Sequence, residues 1–476
     1  MSEYERIECD VVIVGAGIAG MIAAVRVAQG GLRAVVLEKL PEDRYICNSR
    51  LTAGVWHCCA TDILADPELL YSKIMEATSG AAQADLAKAI AVDGARVVRW
   101  MQSVGVRFIK GPYSYQSFVL SPPSVTPRGC EWNGRGGDVM LRTLEGELNR
   151  LGGGIRRGYK ATGLEQTEGR VTGVTGETVT GTHFSVTAAS VIIADGGFQT
   201  DETLLADYIS PQPDRVFQRN AGTGTGDGLR MAQAAGAGVS NLKGFYGHVL
   251  SGDVFHIDKL SPYPYLDYIV TAGIIVDKNT ERFADEGLGG VAMANAIAAS
   301  EDPSDKLIIA DEYIWTECGS VRLVSPNPHL LNVGATVHKA NSIDELARQC
   351  GLTPEKLVSL VDQYNSAVKA GITGELTPAR STTRHQAHPI ERAPFYAFPV
   401  CAGITYTMGG ISINGDGQVL ADSTAHPIPG LYAIGCTTGG LEGGSQGGYV
   451  GGLVKSSVTG LRAAEHIVGD RRPLET

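Results

Sequence analysis

The sequence predicts an α/β fold: a Rossmann-like dinucleotide-binding domain assembled from both ends of the chain, with an α+β segment inserted between them. Three observations predict it. A strand, glycine turn, helix and second strand open the chain; glycine is in excess; and two more glycine-rich strand ends follow, one near residue 195 and one near the C-terminus.

The opening unit comes first. Asp10-Val-Val-Ile-Val14 is a short apolar run rich in β-branched residues, the pattern of a strand buried on both faces. Gly15-Ala-Gly17-Ile-Ala-Gly20 follows at once, then a helical pattern through Met21, Ile22, Val25 and Val27 that stops at Gly30-Gly31. A second buried strand runs from Arg33 to Leu37 and ends at Glu38. In such a unit the first glycine allows the tight turn, the second lets backbone approach a pyrophosphate, and the third packs helix on strand. The helix N-terminus offers free N–H groups and a positive dipole end to phosphate. An acid at the end of the second strand accepts hydrogen bonds from ribose hydroxyls, and Glu38 stands there.

Composition narrows the class. Glycine is 61 of 476 residues, about 13% against a usual share of roughly 7%, with no period-three pattern that would signal collagen. Hydrophobic residues are 43% and charged residues 19%, a globular balance. The net charge of −11 argues against nucleic acid as main partner. The apolar stretch from Val11 to Val25 is broken by glycines and too short to span a bilayer. The acids Glu3, Glu5, Glu8 and Asp10 before it are the wrong flank for a secretory signal. Nine cysteines, at 9, 47, 58, 59, 130, 318, 350, 401 and 436, show no Cys-x-x-Cys or metal-ligand spacing. Reduced thiols, a cytoplasmic location and no bound metal are the expectation.

Val191-Ile-Ile-Ala-Asp-Gly-Gly197 and Gly430-Leu-Tyr-Ala-Ile-Gly435 read as two further buried strands ending in glycine turns, the second followed by a helix over 453–467. The expected organisation is a first dinucleotide-binding part over 1–235, an inserted domain over 236–370 with helical patterns at 342–349 and 354–369, and a second dinucleotide-binding part over 371–476.

On these residues, together with NSRLTAG at 48–54, GRGGD at 134–138, TGTGDG at 223–228, FYGH at 245–248, RFADE at 282–286 and TMGGI at 407–411, the chain resembles one flavoprotein family. Its members are fumarate reductases, succinate dehydrogenase flavoprotein subunits and 3-ketosteroid dehydrogenases. The resemblance covers nearly the whole chain. It implies an FAD-binding Rossmann-like domain with an inserted cap domain and an active site between them. It places Gly15, Gly17 and Gly20 at the pyrophosphate, Glu38 at the adenosine ribose, and Asn48, Ser49, Arg50, Thr52, Ala53 and Gly54 along the diphosphate and isoalloxazine. Ala161 matches the backbone contact to adenine, Asp227 the acid of the TGDG motif, Gly435 the last glycine turn, and Leu453 and Val454 the backbone donors to the flavin pyrimidine. Some members tether FAD through a histidine in this stretch; Ser49 stands at that position, so non-covalent FAD is expected. Cys436 replaces a glutamate that binds the ribityl chain.

The departures bear on chemistry. Dicarboxylate members clamp their substrate with cations, because guanidinium groups hold carboxylates in fixed bidentate geometry. Here the arginine expected after RFADE falls near Gly290, the histidine before TMGG is Tyr406, and the arginine in the last glycine run is Tyr449; His248 alone remains. Fumarate and succinate are therefore disfavoured. A tyrosine at the last position resembles the ketosteroid dehydrogenases, where a phenol and a backbone N–H bind the ketone oxygen as the α-proton leaves. That implies Tyr449 as the carbonyl-polarising group, helped by N–H near Leu453, with Tyr406 or His248 as base. The cap tyrosine of the steroid enzymes would fall close to Gly290; Tyr246 or Tyr265 is its candidate replacement, which favours a smaller cyclic or aliphatic ketone.

With 17 tyrosines in the chain, most serve as packing residues with satisfied hydroxyls. His57 reads as packing near the flavin, Glu442 as facing either the site or its own turn, Asp285-Glu286 as a structural pair, and arginines such as Arg282 as structural or solvated. The sequence thus predicts an FAD-dependent dehydrogenase that desaturates the Cα–Cβ bond beside a carbonyl and passes electrons to an acceptor left open. Reduction of an activated C=C bond by the same groups, and a non-catalytic electron-transfer subunit, are the alternatives.

Overall fold

The computed structural model describes residues 4–123, 132–260, 263–321 and 324–469. Cys130 lies outside them.

An eight-stranded sheet carries the glycine turns. Its path runs Gln418–Leu420, Pro427–Ala433, His183–Ile193, Tyr4–Val14, Ala34–Glu38 and Gly154–Arg157, with Tyr159–Thr167 and Arg170–Thr178 branching from His183–Ile193. From Pro427–Ala433 to Gly154–Arg157 every neighbour on the path is parallel. Val11, Val12 and Ile13 are fully buried, which is why that strand reads as an unbroken apolar run rather than an alternating one. The helix Ile18–Gln29 crosses both Gly136–Arg150 and the last helix, Gly452–Val468. The second crossing is close: a Cβ on Gly460 would stand 2.6 Å from the Ala19 carbonyl oxygen.

A six-stranded second sheet is organised around the long strand Phe395–Thr407, which pairs with Phe217–Gln218, Phe245–Ser251, Lys306–Asp311 and His338–Ala340; Ile274–Val276 closes the edge. Four of these strands lie within 236–370, and the expected helical patterns there are the helices Ile343–Gln349 and Pro354–Ala370. The other two strands, at 217–218 and 395–407, lie outside those bounds.

One irregularity in this sheet positions the site. Tyr246 pairs with Tyr406, but Gly247 pairs with Ile404, so Thr405 is an extra residue in the long strand. Such a bulge leaves its residue without a ladder partner and re-aims the neighbouring side chains. Just beyond it the chain returns to the first sheet: the Thr407 hydroxyl accepts a hydrogen bond from the Phe198 N–H at 3.1 Å. No helix among the described residues is long and apolar enough to cross a membrane.

Candidate active site

At the carboxyl ends of the parallel strands, where open α/β sheets bind ligands, the opening glycine turn leaves no room for side chains. Gly15 has φ +106°, and a Cβ there would stand 2.5 Å from the Ala194 carbonyl oxygen; one on Gly20 would stand 2.0 Å from the Gly15 oxygen. Gly17 caps the following helix without a side-chain bond, and the Ile18 N–H is met by the Ser49 hydroxyl at 2.9 Å. Ser49 therefore faces the helix N-terminus. Glu38 is buried, accepts from the Leu40 and Ala16 N–H groups, and has its carboxyl raised by that burial against those bonds.

Among the described residues, three buried oxygens near these strand ends make no hydrogen bond: Asp195 Oδ1, Gln199 Oε1 and Thr437 Oγ1. Burial pushes the Asp195 carboxyl up to about 6, although the Gly228 N–H donates to its other oxygen. A crevice with a side-chain-free turn at one end and orphaned acceptors along its wall fits a hydroxyl-rich dinucleotide. The last glycine turn, Gly435 at φ +73°, packs against Ala19. Leu453 and Val454 open the last helix, where N–H groups have no intrahelical acceptor.

Several expected FAD-contacting residues prove to have their side chains engaged by the protein. The Arg50 guanidinium is fully buried, donating to the Tyr45 carbonyl and paired with Asp138, so it pins the segment rather than facing the turn. Asn48 bridges two elements, donating to the Thr405 carbonyl at 2.9 Å and accepting from the Ala221 N–H at 2.8 Å. The Thr52 hydroxyl accepts from the Gly54 N–H, Ala53 is exposed, and Gly54 has φ +76° against Leu120. Ala161 is buried in Tyr159–Thr167. Asp227 binds the Thr225 hydroxyl, Lys39 and Lys160, which together outweigh burial and hold its carboxyl below the usual range. Cys436 is half-buried, with its sulfur 3.9 Å from the Ser456 hydroxyl.

An aromatic cluster lies against the first turn of the last helix, where a Cβ on Gly452 would stand 3.0 Å from the Tyr406 ring. Tyr246 stacks on Tyr449 with centroids 3.9 Å apart, Tyr406 stands 5.5 Å from Tyr246, and His248 stacks on Tyr265 at 4.1 Å. His57 lies edge-on between Tyr449 and Tyr115 at 5.7 Å from each; burial lowers it to about 4, so it is a neutral wall residue.

Two polar networks run through these rings. In the first, the His248 Nδ1 is 2.6 Å from Asp267 Oδ2, and its Nε2 is 3.1 Å from the Tyr246 hydroxyl. Asp267 Oδ1 accepts from the Val249 N–H, which fixes the carboxylate. A carboxylate on one nitrogen and a hydroxyl on the other is the arrangement that sets an imidazole to take the hydroxyl's proton. In the second, the Tyr406 hydroxyl is 3.0 and 3.1 Å from the two oxygens of buried Glu442. Glu442 also accepts from the Val450 and Gly451 N–H groups and pairs with buried Lys455 at 3.4 Å.

Burial raises all three phenols, assisted at Tyr406 by the charge of Glu442 and at Tyr449 by Tyr246 and Glu442; at Tyr246 the Arg219 cation pulls the other way. Tyr406 is thus a hydrogen-bond donor held by Glu442 rather than an accessible base. Gly290, where an arginine was sought, is closed off: a Cβ there would stand 2.3 Å from the Asp267 carboxylate. The pair Asp285-Glu286 is structural, with Glu286 bound by buried Arg282. Sequence reasoning missed Asp267, Lys455 and Arg219, whose guanidinium lies at Tyr265 and Thr405. Among the described residues no cluster of His, Cys, Asp and Glu could hold a metal ion.

Comparison with known proteins follows the same lines. A family model described as FAD binding domain matches residues 10–451. The chain is 26% identical to a probable fumarate reductase of Shewanella frigidimarina, over 90% of this chain and 70% of that protein. It is 29% identical to the 4-oxocyclohexanecarboxylate 2-dehydrogenase of Sinomonas cyclohexanicum, over 60% of this chain and 51% of that one. Among solved structures it shares the fold of the 3-ketosteroid-delta4-(5alpha)-dehydrogenase of Rhodococcus jostii, with a TM-score of 0.72, 21% identity and 97% of each chain covered.

Proposed function

The chain belongs to the FAD binding domain family and is an FAD-dependent oxidoreductase, and on that premise we propose that it desaturates the Cα–Cβ bond beside the carbonyl of a cyclic ketone. The observation that carries the proposal is the Tyr246–His248–Asp267 relay lying directly against Tyr449. The non-covalent FAD expected from Ser49 is part of the same proposal: its crevice wall is made by Gly15, Gly17, Gly20, Glu38, Asp195 and the first turn of the last helix.

The residues divide the work by chemistry. Tyr449 is kept protonated by burial and donates its O–H to the ketone oxygen, with the N–H at Leu453 as second donor. Enolate character then develops, and the α-proton passes to the Tyr246 oxygen as the Tyr246 proton moves to His248 Nε2. Asp267 holds the imidazole in the tautomer whose Nε2 carries no proton and stabilises the imidazolium that forms. FAD, when bound, supplies the acceptor for the hydride that leaves the β-carbon. Glu442 and Lys455 fix Tyr406 as a wall of the site and anchor the turn that carries Tyr449. The similar protein named for 4-oxocyclohexanecarboxylate supports a six-membered ring ketone as substrate class.

A second reading, reduction of an activated C=C bond, is supported by the raised phenols, since groups kept protonated are ready proton donors. Anaerobic mixing separates the two. The proposal expects cyclohexanone-type ketones to bleach the oxidised flavin and fumarate to leave the reduced flavin unchanged. Reoxidation of chemically reduced protein by enones, with no bleaching by saturated ketones, would replace it with the second reading.

A further inference from the structure

Arg219 stands apart from the other enclosed arginines. Arg50, Arg282, Arg380 and Arg462 are nine-tenths or more buried, and each has a carboxylate within 4.0 Å. Arg219 is half-buried among the site's aromatic rings, and among the described residues none of its nitrogens reaches a carboxylate at that distance. Its Nη1 donates to the Thr405 hydroxyl at 2.7 Å and its Nη2 to the Tyr265 hydroxyl at 2.5 Å, both neutral oxygens. The acid whose charge acts on Arg219, Asp267, is committed to His248 and the Val249 N–H. A guanidinium has five N–H donors in one plane, so these two bonds orient the group and leave donors over.

The placement is built. Thr405 is the bulged residue of the long strand, so its carbonyl is released from the ladder and holds Asn48, while its hydroxyl holds Arg219. Arg219 itself is fixed by its N–H on the Ile404 carbonyl at 2.9 Å. Its guanidinium lies 5.1 Å from the centre of the Tyr265 ring, which stacks on His248. A cation oriented by neutral partners beside the proton relay is suited to bind an anion that arrives with the substrate.

We propose that Arg219 anchors a carboxylate borne on the substrate, so that the protein selects cyclic keto acids over neutral cyclic ketones. The proposal rests on the ketone-desaturation reading for the ketone but not for the carboxylate. A charge-assisted bond of this kind is worth about 1.5–3 kcal/mol, a factor of about 10–150 in affinity.

The test is equilibrium binding to the FAD-loaded protein, read by calorimetry and by perturbation of the flavin spectrum, with two non-reactive probes: cyclohexanecarboxylate and its methyl ester. The acid is expected to bind at least about 10-fold tighter than the ester. Arg219→Met is expected to erase that preference by weakening the acid far more than the ester, and Arg219→Lys to restore part of it. Flavin content and melting temperature of each variant are measured alongside. Equal binding of acid and ester by the native protein, or equal weakening of both by Arg219→Met, would overturn the anchor and leave a structural role. Arg219-dependent binding of the acid, without flavin bleaching by 4-oxocyclohexanecarboxylate, would uphold the anchor and remove the desaturation reading instead.

Discussion

In the proposed site the nucleotide is met by Gly15, Gly17 and Gly20, which lie in one short turn and act by what they lack, whereas the substrate is met by Arg219, Tyr246, His248, Asp267, Tyr406 and Tyr449, which come from distant segments and act through side chains. The first is a backbone device, tolerant of sequence elsewhere and intolerant of a single Cβ. The second is a side-chain device whose geometry depends on the pairing of two strands and one bulge. Cofactor retention and chemistry should therefore fail separately under mutation, except at residues that serve both ends.

Glu442 is such a residue, and its loss should break the comparison most. It holds Tyr406, the Val450 and Gly451 N–H groups and Lys455, so Glu442→Ala leaves a buried ammonium unpaired. A loss of about 4 kcal/mol in stability is expected, seen in denaturant unfolding, with flavin and activity lost together. Gly20→Val should strike the nucleotide end alone, since its Cβ would meet the Gly15 carbonyl oxygen. Overpacking of that order costs about 3 kcal/mol, and FAD per chain should fall toward zero; a variant that keeps its flavin would show that the turn is not the cradle. Asp267→Asn should strike the substrate end alone, slowing flavin reduction about 100-fold, roughly 2.7 kcal/mol, while FAD stays bound. Equal loss of flavin in that variant would erase the separation.

The last effect, on stability alone, concerns Asp195. Its carboxyl is raised in the folded chain to about 6 from an ordinary value of about 3.9, so the charged form opposes folding. The penalty is absent below pH of about 4, grows through pH 6 and is complete above it. FAD-free Asp195→Asn should therefore be more stable than the native apoprotein by about 3 kcal/mol at pH 8, with the advantage gone near pH 4. A pH-independent difference would show that Asp195 is not held in the desolvated wall of the crevice.

The same contrast explains what the sequence disclosed. The glycine turn, Glu38 and the buried parallel strands are local patterns, and the chain folds them where the pattern lies: Tyr4–Val14, Ile18–Gln29 and Ala34–Glu38. His248 and Tyr449 were visible because each sits in a motif. Asp267 and Arg219 were not, because neither belongs to a quoted motif, although each lies a few residues from one or from a candidate; strand pairing and the Thr405 bulge make them neighbours of the site. Arg50 lies in a recognisable segment, but that its guanidinium pairs with Asp138 was not legible, because the partner stands 88 residues away in the chain. The second sheet was also hard to bound, since its central strand, Phe395–Thr407, follows the segment that reads as the insertion.

The claim at the centre of this account is that the Tyr246 hydroxyl receives the α-proton of a cyclic ketone. Anaerobic single-turnover reduction of the flavin by 4-oxocyclohexanecarboxylate, protiated and deuterated at the α-carbon, tests it most directly. The account predicts a primary isotope effect on bleaching in the native protein and a rate about 1,000-fold lower in Tyr246→Phe, roughly 4 kcal/mol, at full FAD content. Bleaching at the native rate in Tyr246→Phe would contradict it.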